Sequence, residues 1–332
     1  MASKQPRDYP VIQKDLTGQT IIVTGCNVGL GLEAAKHFAR MRPHKLIGTC
    51  RSEDKCAQAE QEIKKETGFD DVVCWPLELT SFASVKAFVD RFERETDGRL
   101  DVLLLNAGIV TFDYILTADG HESTVQVNHL SGALLSYLLL PALLRTGEKL
   151  GKPSRLAIVT SYVHDEVDFG SANFSTDMGI IEKLDSKEFS TKENMVARRY
   201  RESKLLNVIF ARKLQSHLAS GSPLIVNSVD PGFCVSRLRR TIDNGQFEEL
   251  LQTARTTEEG SRQLILAAIG PRNGSEDPMR GAYVKDNEIR EPHSWSSSDE
   301  GREVEERVWT ETLRIASEVD KRVEAVVIEL KL

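Results

Sequence analysis

The chain has 332 residues, enough to bury a sizeable core and suited to one large α/β domain with insertions. Hydrophobic residues at 40% and charged residues at 28% are ordinary globular values and point to a soluble chain. A formal net charge of −7 without any long Lys/Arg block argues against a surface built for nucleic acid or an anionic membrane, leaving small molecules as the expected partners.

Cys26, Cys50, Cys56, Cys74 and Cys234 show neither Cys-x-x-Cys nor Cys/His ligand spacing, so reduced structural thiols, no metal and a cytoplasmic location are expected. The polar start, Met1 to Pro10, has no signal-peptide core. The longest apolar run, Ala133 to Leu144, is broken by Ser136 and Pro141 and reads as too short for a membrane span.

In chain order, Thr20 to Thr24 is a β-branched run that stops at Gly25 and predicts a buried parallel strand. Gly25-Cys26-Asn27-Val28-Gly29-Leu30-Gly31 then runs into a helical pattern from Leu32 to Ala39. In a strand, glycine turn and helix of this kind, the glycines let the backbone approach a pyrophosphate and the helix start offers N–H groups to it. Lys45 to Cys50 predicts the second strand, ending at Arg51. An arginine there, with no acidic residue, suits a 2′-phosphate and favours NADP(H) over NAD(H). Glu53 to Gly68 reads as a helix, Asp71 to Pro76 as a strand and Ser81 to Thr96 as a helix. Between them Glu78-Leu79 stands where a chain leaving a strand tip meets an adenine ring.

Leu100 to Leu105 predicts the fourth strand, and Asn106-Ala107-Gly108 after it again permits close approach to a ligand. Thr117 to Leu144 reads as a long buried helix in which the amide of Asn128 must find hydrogen bonds. His121 and His129 read as polar-face residues. Arg155 to Thr160 predicts the fifth strand with Ser161 just past its end, where open α/β sheets bind ligands. Tyr162 to Val196 is a long polar excursion, and Val196 to Leu218 a helix carrying Tyr200 and Lys204. Their spacing puts a phenol and an ammonium one turn apart, an arrangement able to lower the phenol pKa for proton transfer. Leu224 to Val229 predicts the sixth strand, closed by Asp230-Pro231-Gly232. After an irregular stretch from Phe233 to Thr256 come a helix from Gly260 to Ile269, a last strand from Gly281 to Val284 and a helical tail from Ser298 to about Glu318 with an apolar end.

The ordered set of glycine turn, Asn-Ala-Gly, buried Asn, Ser after the fifth strand, Tyr-x-x-x-Lys and Pro-Gly resembles the short-chain dehydrogenase/reductases over about residues 18–285. The strings around Arg51, Asn128, Lys204 and Asp230 are similar to those of its retinol-dehydrogenase-like branch. The resemblance implies a single domain over 1–332, a Rossmann-type doubly wound parallel sheet of about seven strands with helices on both faces, and a reaction interconverting a carbonyl and an alcohol. It implies Tyr200 as the proton donor or acceptor, Lys204 as the group that tunes Tyr200 and holds the nicotinamide ribose, Ser161 as substrate hydrogen-bond donor and Asn128 as support for a water relay. Gly25, Asn27, Gly29, Leu30 and Gly31 would hold the pyrophosphate. Arg51, Glu78, Leu79, Asn106, Ala107 and Gly108 would line the adenosine side, and Pro231 and Gly232 would complete the cofactor site. The wide gap between Ser161 and Tyr200 implies an insertion at about 163–195, expected to form with Phe233 to Thr256 a mobile substrate entrance that buries little apolar surface. A C-terminal extension follows at about 298–332. The long helices at about 121–141 and 197–218 are candidates for pairing across a homodimer. Other readings are turnover of a retinoid or lipid alcohol, a catalytically idle NADP(H) sensor, and a nucleotide-sugar epimerase, whose glycine spacing fits poorly.

Overall fold

A computed structural model describes residues 9–170, 174, 177–239, 251–271, 273–292 and 294–330. Eight strands form one sheet: β1 Thr20–Val23, β2 Lys45–Cys50, β3 Val72–Pro76, β4 Val102–Leu105, β5 Ser154–Val159, β6 Leu224–Asp230, β7 Tyr283–Lys285 and β8 Glu288–Arg290. Their order is β3-β2-β1-β4-β5-β6-β7-β8, parallel except for the last pair. The order reverses between β1 and β4, which opens a crevice at the strand ends where the glycine turn and Asn106 lie. Both faces are buried, because successive residues of these apolar strands point to opposite sides: Ile22, Leu103 and Leu156 to one core, Ile21, Leu104 and Ala157 to the other.

Helices α1 Gly29–Arg40, α2 Glu53–Thr67 and α7 Thr257–Ile269 cover the second core. Helices α3 Phe82–Glu95, α4 Ser131–Leu150, α5 Ile180–Asp185 and α6 Tyr200–His217 cover the first. A further layer, α8 Asp299–Val319 and α9 Lys321–Leu330, packs on α6 and α4.

Several expectations change. The strand β8 was not foreseen; it pairs antiparallel with β7 through a two-residue turn at Asp286 and Asn287, whose φ angles of 54° and 58° suit such hairpins. The long helix starts at Ser123 rather than Thr117, because Gly120 turns the chain at φ 88° and the Glu122 carboxylate caps the Thr124 and Val125 N–H groups. With its flanking turns this helix, Ser123–Leu150, is long and apolar enough to cross a membrane by length and composition, but 89% of its apolar window is buried within the molecule.

The outer faces of α4 and α6, expected to pair across a homodimer, are covered by the chain's own tail. Trp309 of α8 stacks on Phe210 and His217 and meets Tyr137 edge-on, and Val323 and Val326 of α9 are buried. A dimer through this face would require α8 and α9 to leave.

The described part of the excursion at 163–195 is also packed more tightly than expected. Phe169, Phe174, Ile180, Ile181 and Leu184 are buried in the first core, the three phenylalanines 169, 174 and 189 meeting edge to face. The α5 start is held from a distance: Glu311 accepts the Ile181 N–H at 2.9 Å and the Glu182 N–H at 2.8 Å. In the other half of the expected entrance, Cys234 bridges to Arg255, while residues 240–250 lie outside the described residues.

Candidate active site

The glycine turn is shaped by contacts that leave no room for side chains. A Cβ at Gly31 would lie 2.2 Å from the Gly25 carbonyl oxygen and 2.4 Å from Asn106 Nδ2. Gly25 and Gly29 have φ angles of 70° and 65°, in the region that favours glycine. Asn106 staples the turn to the end of β4, its amide donating to the Thr24 carbonyl at 2.9 Å and the Gly25 carbonyl at 3.2 Å. The Thr24 hydroxyl accepts the N–H groups of Asn106 and Ala107. No side chain caps α1, and its first turn carries no acidic residue, so its starting N–H groups face the turn without a protein anion among the described residues. Asn27 and Leu30 are half-buried on this turn, and Arg51 is exposed one residue past β2.

Glu78 folds back on its own chain, its carboxylate accepting the Thr80 N–H at 3.0 Å. Leu79 is buried, and with Thr24, Ala107 and Asn128 it lines a small internal cavity beneath the strand ends. Pro231, just past β6, and Leu30 of the glycine turn both stand beside Gly260. A Cβ at Gly260 of α7 would meet both Leu30 Cδ2, at 2.8 Å, and the Pro231 carbonyl oxygen, at 3.3 Å.

Asn128 sits in a π-helical turn, Gln126–Leu130, and its side chain closes a two-way bridge to Ile109. Its Oδ1 accepts the Ile109 N–H at 2.8 Å while Nδ2 donates to the Ile109 carbonyl and the Ser203 hydroxyl, each at 2.9 Å. A second π turn, Met195–Arg199, leads directly into Tyr200. Such turns interrupt the regular ladder and often lie at functional sites.

Lys204 is buried at 3% exposure, and Nζ donates to the Val159 carbonyl at 3.1 Å. The same Nζ lies 5.6 Å from the Tyr200 ring centre. A Cβ on Gly108 would fall 3.2 Å from Asn128 Oδ1 and 3.6 Å from Lys204 Nζ, so both side chains converge on Gly108. The Thr160 hydroxyl donates to the Lys204 carbonyl at 2.8 Å, which ties the strand end before Ser161 to the helix carrying Tyr200 and Lys204. Ser161 is half-buried, and its carbonyl accepts the His164 N–H at 3.1 Å. Burial pushes the Lys204 ammonium down to about 8, opposed by the negative charge of Asp230.

Three residues that hold this geometry went unassigned in the sequence: Thr24 under Asn106, Ser203 under Asn128, and Asp230 facing Lys204. An aspartate ending an apolar strand was the visible signal for the last of them. His129 is buried rather than on a polar face, its Nε2 2.9 Å from Thr312 Oγ1, and burial pushes it down to about 4. His121 pairs with Asp185 at 2.6 Å.

The family described as short chain dehydrogenase matches residues 19–162. A short chain dehydrogenase of Alternaria solani, sol3, is 39% identical over 276 residues, 82% of this chain and 91% of the relative. The chain belongs to the short-chain dehydrogenases. Within this oxidoreductase family, dmxR8 of Cryptosporiopsis sp. is 35% identical over 313 residues, covering 93% of both chains. The same fold is seen in the Pseudomonas aeruginosa RhlG/NADP active-site complex, with TM-score 0.60 and 22% identity over 81% of this chain and 95% of that one. It recurs in L-sorbose reductase from Gluconobacter frateurii complexed with NADPH and L-sorbose, with TM-score 0.57 and 16% identity over 82% of this chain and 96% of that one.

Proposed function

We propose that this short-chain dehydrogenase is an NADPH-dependent reductase of a ketone or aldehyde, acting in the cytoplasm on a specialised metabolite bulkier than a simple sugar. The carrying observation is the convergence of Lys204 and Asn128 on Gly108, with the Tyr200 ring centre 5.6 Å from Lys204 Nζ, beside the turn in which any Cβ at Gly31 would collide. That cradle and the uncapped start of α1 fit a pyrophosphate, and exposed Arg51 fits a 2′-phosphate by charge-assisted pairing. The NADP(H)-bound proteins that share the fold support the same cofactor. The added chain at 163–195 and in α8 and α9 supports the larger substrate.

Bound NADPH supplies the hydride. The Tyr200 hydroxyl gives the carbonyl oxygen its proton as negative charge builds there, and the Ser161 hydroxyl holds that oxygen by a second hydrogen bond. Lys204, charged below about pH 8, lowers the phenol pKa and holds the ribose. Asn128 keeps the π turn open to a water relay toward Lys204. Pro231 and Gly232 would complete the cofactor site.

The test is NADPH consumption against ketones and aldehydes of graded size, with Tyr200→Phe alongside. Turnover should fall at least about a thousandfold while NADPH binding, followed by fluorescence, stays within about twofold. Wild-type turnover by Tyr200→Phe would overturn the assignment and favour a cofactor sensor.

A further inference from the structure

Four cysteines from separate elements converge behind the glycine turn. Cys26 Sγ lies 3.7 Å from Cys50 Sγ at the end of β2 and 3.7 Å from Cys74 Sγ on β3, while the Cys56 thiol faces the Cys50 carbonyl at 4.0 Å. Room for them comes from Gly48 in the middle of β2, where a Cβ would lie 2.3 Å from Cys26 Sγ and 2.9 Å from Cys74 Sγ. Sulfur atoms in contact at this distance need to close by less than about 2 Å to reach a disulfide, and because Cys26 and Cys74 flank β2 from opposite sides, the bond also requires the backbone to move. Cys74, at 8% exposure against 0% for Cys26, is the more open of the two to a small oxidant.

We propose that Cys26 and Cys74 form a reversible disulfide under hydroperoxide, and that the bond distorts the glycine turn. The Cys74 sulfur attacks the peroxide O–O bond, giving a sulfenic acid and an alcohol, or water from hydrogen peroxide. The Cys26 sulfur then attacks the Cys74 sulfur, the S–O bond breaks and water leaves. Two thiols lose two electrons and two protons, and the peroxide takes up both. Hydrogen bonding with the Cys50 and Cys74 thiols, together with burial, holds the Cys26 thiol well above its ordinary pKa, which slows the reaction and makes it a response to sustained oxidation.

The turn has little slack to absorb the bond. The Cys26 N–H is held by the Thr49 carbonyl at 2.9 Å, and the Gly25 carbonyl by the Asn106 amide at 3.2 Å. Drawing Cys26 Sγ toward β3 therefore moves the segment that carries Gly25 to Gly31. An effect on NADPH affinity rests on the cofactor reading above, whereas the bond and the distortion do not.

Full-length protein treated with hydrogen peroxide should yield a Cys26–Cys74 linked peptide in non-reducing mass spectrometry, and dithiothreitol should remove it. Amide exchange at residues 25–31 should quicken at least about threefold in the oxidised protein and recover on reduction. Cys74→Ser should show neither change and should bind NADPH as the wild type does. NADPH affinity of the oxidised wild type should fall about tenfold. Absence of the linked peptide, a link from Cys26 to Cys50 alone, or a link that leaves exchange unchanged overturns the proposal. If the reduced protein binds no NADPH, the cofactor reading fails while the peptide and exchange results still decide the disulfide. Should Cys74→Ser fold poorly, the reduction arm in the wild type decides alone.

Discussion

The turn after β1 and the excursion at 163–195 both flank the site, but they are built in opposite ways. The turn is shaped by its own backbone and by one neighbouring strand end, with Asn106 as its staple. The described part of the excursion is seated by α8, whose Glu311 accepts the Ile181 and Glu182 N–H groups. A cofactor of fixed shape suits a rigid local cradle, whereas the excursion, proposed to face the substrate, depends on a helix more than a hundred residues downstream. Changes in the first region should act on cofactor binding, and changes in the second on substrate handling and local stability.

The largest effect should come from the group placed between the two regions. Lys204→Met should lower turnover by about a thousandfold or more, yet raise the melting temperature, since a buried ammonium is removed. The folded pKa of about 8 lies below the ordinary 10.5, so the charged form is the one that burial disfavours. Its cost to folding is fully present below about pH 8 and disappears as pH rises toward the ordinary value. The gain from Lys204→Met, on the order of 1–3 kcal/mol at neutral pH, should therefore shrink between pH 8 and 10. Melting curves across that range check it, and a gain independent of pH would locate the effect elsewhere.

Gly31→Ala should come next, weakening NADPH about a hundredfold because the Gly25 carbonyl and the Asn106 amide must both give way. Exchange in 177–194 should stay as in the wild type; loss of protection there would break the division between the regions. Glu311→Ala should do the reverse. It leaves the Ile181 and Glu182 N–H groups without their carboxylate and should cost about 2–3 kcal/mol, read by denaturation, with faster exchange at α5 and NADPH affinity within about twofold of wild type. Smallest, Arg51→Ala should raise the NADPH KM about tenfold and leave the NADH KM unchanged, because a solvated pair is worth little more. An unchanged NADPH KM would remove Arg51 from the site.

The same contrast explains what was legible in the sequence. The glycine turn, Asn106 and the parallel strands announce themselves because adjacent residues make them: β-branched runs, glycines at positive φ, and a helix that follows at once. Tyr200 and Lys204 are readable for the same reason, one turn apart on one helix. The excursion reads as polar and loose because its anchor, Glu311, lies in a segment whose own pattern does not say what it packs against. Glu122 is a similar case. It pairs at 2.8 Å with Arg199, both buried, an ion pair between elements far apart in the chain that no local pattern signals. The Asp286-Asn287 turn was a readable hairpin signal, but the exposed three-residue β8 carried no apolar alternation to confirm it.

The covering of α6 by α8 also sets an order of events during biosynthesis. Phe210 and Tyr137 meet Trp309 only after roughly a hundred further residues have left the ribosome, a delay of about 5–20 s at ordinary elongation rates. Until then the helix bearing Tyr200 presents a bare aromatic face to solvent, a surface suited to holdase chaperones and to premature association between nascent chains. Slow codons between β8 and α8 would lengthen that exposure without altering a single amino acid of the finished enzyme.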